Sequence, residues 1–98
     1  MSGAADAAIG TIRRSLAIAN KRGLHARAAA KFVRTAGQFD AAIRVSFKGQ
    51  EVSGLSIMGL MMLAAGIGTT IELACSGRQA AEAMAALSAL VEGKFGED

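Results

Sequence analysis

In "TIRRSLAIANKRGLHARAAAKFVRTAG", Thr11 to Gly37, the apolar spacing switches from a strand period to a helical one. Ile12, Leu16 and Ile18 fall on one side of an extended chain from Thr11 to Ala19. Asn20 to Gly23 reads as a turn. From His25 to Ala36, Leu24, Ala28, Phe32 and Val33 or Ala36 recur at helical spacing, and Gly37 stands where such a helix ends. A strand that feeds a helix needs further strands against which both can bury their apolar sides.

Those strands follow. Ala41 to Phe47 turns Ile43, Val45 and Phe47 inward, "KGQ" reverses the chain, and Glu51 to Ser53 forms the short second arm of a hairpin. Ser56 opens a second helix, "SIMGLMMLAA", closed by the Gly66–Gly68 loop. "TTIELACS", Thr69 to Ser76, is rich in branched residues and reads as a strand. "GRQAAEAMAALSALVEG" is a last amphipathic helix, with Ala80 or Ala81, Met84, Leu87 and Val91 on one stripe. The order β-α-β-β-α-β-α predicts an α+β open-faced sandwich: a four-stranded antiparallel sheet with three helices on one face. A right-handed crossover through the first helix leaves room for the last strand between the first two. Residues 1–10 are read as a flexible arm, 11–92 as the domain, and the tail 93–98, with "KFGED", as frayed.

Composition narrows the class. The chain has 98 residues, enough for one core and too few for two. Half of it is hydrophobic, yet Trp and Tyr are absent, so aliphatic side chains and four Phe must build the interior. The net charge of +3 is spread along the chain without interleaved aromatics, which argues against nucleic acid and suits acidic protein surfaces or small anions. Cys75 is alone in a strand, a buried thiol rather than half of a disulfide. One His and one Cys cannot make a soft metal site, so neither a metal nor another cofactor is expected. No signal-peptide pattern begins the chain, and the run Ile57 to Ile67 is too short and too glycine-broken to span a bilayer. The reading is a cytoplasmic, monomeric domain without membrane contact.

His25, the only histidine, stands where the first helix begins. The opening N–H groups of a helix lack intrahelical partners and carry the positive end of its dipole, which makes an anion site. Arg27 in the first turn and Lys21 and Arg22 before it add charge, and Gly23 lets the chain turn sharply. An imidazole has an unprotonated nitrogen near neutral pH and can act as a nucleophile. A phosphoryl group placed on it would meet helix N–H groups and a guanidinium. The local residues also fit a histidine that merely caps the helix, and this leaves both roles open.

Ser56 fits the N-cap of the second helix. That helix is apolar almost all round, and a helix on one sheet face buries only part of its circumference. Leu60, Leu63 and Ala64 form the inward stripe, leaving some of Ile57, Met58 and Met61 exposed as an adaptable docking patch. A phosphate on Ser56 would place close to two negative charges at its edge and repel an acidic partner.

"GLHARAAAKFV" followed by "SIMGLMML", within this order of elements, resembles the histidine-containing phosphocarrier family HPr of the bacterial phosphotransferase system, over about residues 11–92. The resemblance implies that His25 accepts a phosphoryl group at Nδ1 from phosphorylated enzyme I, itself charged by phosphoenolpyruvate, and passes it to a histidine of a IIA-type protein. Arg27 would steady the group and the backbone of Ala26 and Arg27 would cap it. Ser56 matches the position modified by the HPr kinase/phosphorylase, and Ile57, Met58 and Met61 with Ala30 and Arg34 match the docking face. The family usually has proline where this chain has Ala28. Alanine there should change stability by about 1 kcal/mol or less, adds an N–H donor, and hints at a regulatory or nitrogen-related branch. The expected role is thus a carrier rather than an enzyme. The competing reading is a regulatory binding module acting through the methionine patch.

Overall fold

The computed structural model describes residues 10–97, so the arm read over residues 1–10 lies almost wholly outside the described residues. The strands are β1 (Ile12–Ala17), β2 (Ala42–Phe47), β3 (Gln50–Ser53) and β4 (Thr70–Ser76). The helices are α1 (Ala26–Ala36), α2 (Ile57–Leu63) and α3 (Ala80–Glu92), followed by a 3-10 turn at Lys94–Gly96. Element order and fold are those the sequence predicts.

The sheet order is β1-β4-β2-β3, with every neighbouring pair antiparallel. β1 and β2 therefore run the same way on either side of β4, as a crossover through α1 requires. Strand alternation puts Leu16 opposite Ile71, and Val45 opposite Leu73, on the buried face. The other face is polar: Arg13 pairs with Glu72 at 3.6 Å and Arg44 with Glu51 at 3.4 Å, both in solvent. Lys48 and Gly49, at φ 49° and 81°, supply the two left-handed residues that a tight hairpin turn between β2 and β3 needs.

α3 packs on β1 and β4, α2 on β2 and β3, and α1 on both other helices. Ala28 and Ala29 of α1 are fully buried, and their small side chains allow that close approach while Phe32 fills the interior. Cys75 is buried in the same core, and burial pushes its thiol up from its ordinary value.

Two details differ from the sequence reading. α2 ends at Leu63, because Ala64 turns left-handed at φ 56° and faces solvent; Ala65, not Ala64, is the buried alanine. The tail is not frayed. Phe95 is completely buried beside α3, where Lys94 and Phe95 take left-handed φ values of 59° and 54°. The apolar payload of one phenylalanine outweighs the cost of the unusual backbone.

Candidate functional site

His25 is the N-cap of α1, with extended backbone, and its Nδ1 accepts the N–H of Arg27 at 3.3 Å. No acidic residue lies in the first turn of α1, so no side chain of the helix itself offsets its positive end. The loop before it is tightly wired: Gly23 N–H donates to Asn20 O, and His25 N–H to Gly23 O at 2.9 Å. Leu24 N–H reaches across to Ala65 O at 3.0 Å, tying the turn to the loop after α2.

Gly23 has to be glycine. Its φ is +64°, and a Cβ there would stand 2.5 Å from Ala65 O and 2.9 Å from the Cα of Gly66, both backbone atoms. Gly23→Ala is expected to lower stability by about 2 kcal/mol or more, from the left-handed conformation and the clash together. Chemical unfolding of the two proteins checks this; equal midpoints would refute the packing described.

Beside His25 lies a cavity of about 440 Å³ lined by Lys21, Arg22, Arg27, Lys31, Gly96 and Glu97. Four cations against one carboxylate make it a place for an anion. Glu97, unforeseen from sequence, is that carboxylate: it accepts from His25 Nε2–H at 2.5 Å, and both side chains are about 15% exposed (16% and 15%). Asn20, read only as a turn residue, is fully buried and donates to Gly23 O at 2.8 Å and to Glu97 Oε1 at 3.0 Å. Burial alone would push the Glu97 carboxyl up. The hydrogen bonds from Asn20 and His25 and the charges of His25 and Lys31 outweigh it and hold the group below the usual carboxylate range. A lone phenylalanine between two glycines in "GKFGED" is the one sequence signal that pointed to an anchored tail.

Ser56 is the N-cap of α2, its Oγ accepting the N–H of Gly59 at 2.9 Å. Beyond it the surface is apolar: Ile57, Met58 (67% exposed) and Met61 are open, and Leu55, Met62 (74%) and Ile67, which the sequence reading did not single out, extend the patch. Ala30 is half-buried and Arg34 exposed on α1, which packs against α2. Because the loop after α2 touches the turn that carries His25, the apolar surface and the cationic cavity adjoin. Among the described residues no group of His, Cys, Asp and Glu could hold a metal ion, and no helix is long and apolar enough to cross a membrane.

Residues 12–93 match the family model described as "PTS HPr component phosphorylation site". The chain is 54% identical over 86 residues to the phosphocarrier protein HPr of Neisseria meningitidis serogroup B, covering 88% of this chain and 97% of that one. It is 50% identical over 86 residues to the phosphocarrier protein HPr of Cupriavidus necator, with the same coverage. Among solved structures, HPr from Thermoanaerobacter tengcongensis superposes with a TM-score of 0.85 at 42% identity, over 89% of this chain and 98% of that one.

Proposed function

Because the chain belongs to the HPr family of phosphocarrier proteins of the phosphotransferase system, we propose that His25 is its phosphoryl carrier, receiving the group from phosphorylated enzyme I and giving it to a histidine of a IIA-type protein. The observation that carries this reading is the single imidazole capping α1 with Nδ1 turned toward the open helix N-terminus, beside a cavity of four cations. An N–H that bonds Nδ1 in the resting ring is close enough to bond a phosphoryl oxygen once Nδ1 carries phosphorus. The backbone of Ala26 and Arg27 then caps the group, and the Arg27 guanidinium neutralises part of its charge. Ala28 adds an N–H where the family usually has proline.

The chain works as a stoichiometric relay, with no turnover of a small molecule of its own. The apolar surface of Ile57, Met58 and Met61, with Ala30 and Arg34, is the docking face for both protein partners, and its position next to His25 brings the two imidazoles together. A regulatory role fits the same face. Phosphorylation of Ser56 by an HPr kinase/phosphorylase would replace a capping hydroxyl with a dianion at the edge of the patch and oppose docking without unfolding α2.

The test is intact mass after incubation with phosphoenolpyruvate and enzyme I. One phosphoryl adduct, lost in acid and kept in alkali, is the expected result, since a phosphoramidate has that lability. An unmodified mass with an active enzyme I would refute the relay.

A further inference from the structure

Glu97 is separated from His25 by most of the chain, yet three independent contacts aim it at the ring. The buried Asn20 uses both amide hydrogens, one on the turn that carries His25 and one on Glu97 Oε1. Phe95 anchors the backbone in the core, and Lys31 Nζ donates to the Phe95 carbonyl at 2.7 Å. Glu97 N–H and Gly96 N–H close the turn onto Lys94 O and Gly93 O. Left-handed residues such as Lys94 and Phe95 persist only where their surroundings impose them, so the placement of Glu97 is built in.

A carboxylate can only accept, so Nε2 of His25 must bear the hydrogen. The neutral ring then has its lone pair on Nδ1, where the Arg27 N–H donates. The two contacts demand the same tautomer. We propose that Glu97 is a positioning residue for phosphoryl transfer: it holds His25 in the Nε2–H form with Nδ1 as nucleophile, and pairs with the positive charge the ring gains on phosphorylation. This rests on the phosphocarrier reading.

In the accepting step the Nδ1 lone pair forms the N–P bond while the bond between phosphorus and the donor's leaving atom breaks, its electron pair returning to the donor. Nε2 keeps its proton, so the product is a phosphorylated imidazolium beside the Glu97 carboxylate. In the outward step the N–P pair returns to Nδ1 and the ring is neutral again. No proton has to be lost or found in either direction. A buried carboxylate that fixes an imidazole tautomer elsewhere is worth up to about 10⁴ in rate. Glu97 is partly exposed, and about tenfold or somewhat more is expected here.

The experiment uses the full chain labelled with ¹⁵N in its histidine, at a pH where the ring is neutral, together with the initial rate of phosphoryl uptake from phosphorylated enzyme I. The wild type should show one tautomer, with an acceptor-type Nδ1 and a protonated Nε2. Glu97→Ala should move both ring nitrogens toward the averaged values of two exchanging tautomers and slow uptake about tenfold or more. Glu97→Gln, which keeps an acceptor oxygen without its charge, should retain the tautomer and fall between the two in rate. A wild-type rate in Glu97→Ala overturns the proposal whatever the tautomer does, and a faster rate overturns it by making the tail a lid over His25. If the wild type itself takes up no phosphoryl group, both readings fall; the Glu97 variants alone decide only this one.

Discussion

His25→Ala is expected to take up no phosphoryl group from phosphorylated enzyme I while remaining folded and still docking. The chain has no other imidazole, the side chain whose neutral ring nitrogen suits it to nucleophilic work near neutral pH. The structural cost is small. The substitution removes an N-cap contact to Arg27 N–H and the pairing with Glu97, and loss of a helix cap costs about 1 kcal/mol. The apolar surface around Ile57, Met58 and Met61 is untouched, so the dissociation constant for enzyme I should stay within about threefold, a difference below 1 kcal/mol. Intact mass reads the first part and calorimetry the second. An acid-labile adduct surviving on the variant would mean another nucleophile does the work. Lost docking would mean the imidazole itself is a main contact.

Phe95→Ala is expected to be the most destabilising single truncation near the site. Phe95 is fully buried although it stands at the very end of the fold, and emptying such a site costs about 3–5 kcal/mol. That is a large share of the roughly 5–15 kcal/mol available to a domain of this size, and the midpoint of thermal unfolding should fall by well over 10 °C. Urea unfolding monitored by circular dichroism gives the number directly. A loss below about 1 kcal/mol would show that the tail is not seated in solution. The Glu97 carboxyl, held below its ordinary range, adds a pH limit to the seating. Its folded value is depressed, so its contribution is present above the ordinary carboxylate range and fades as pH falls through the lowered value.

What could be read from the residues divides along sequence separation. α1, with His25 at its head, was legible because the cap, the basic turn and the apolar spacing are all local, within the span Thr11 to Gly37. The hairpin of β2 and β3 was legible for the same reason, and even the patch on α2 followed from counting how much of a helix a sheet can cover. The end of α2 was placed two residues too late, at Ala65 instead of Leu63, since nothing in "LAAG" says which alanine turns left-handed. The tail was missed altogether. Seating Phe95 depends on two left-handed non-glycine residues, which composition would never propose, and the Asn20–Glu97 contact joins the first turn to the last described residue. A contact of that kind leaves no periodicity to find.

The burial of Cys75 has a practical use. It is the chain's only thiol, it is sealed in the core, and its raised pKa keeps it from forming thiolate. A single cysteine introduced at Ser15, which is exposed on the strand face opposite the helices, would therefore be the one group a maleimide dye reaches, with no native residue to remove first. A fluorophore or surface tether placed there sits behind the sheet, leaving His25 and the methionine surface, the docking face proposed above, uncovered while binding is assayed in real time.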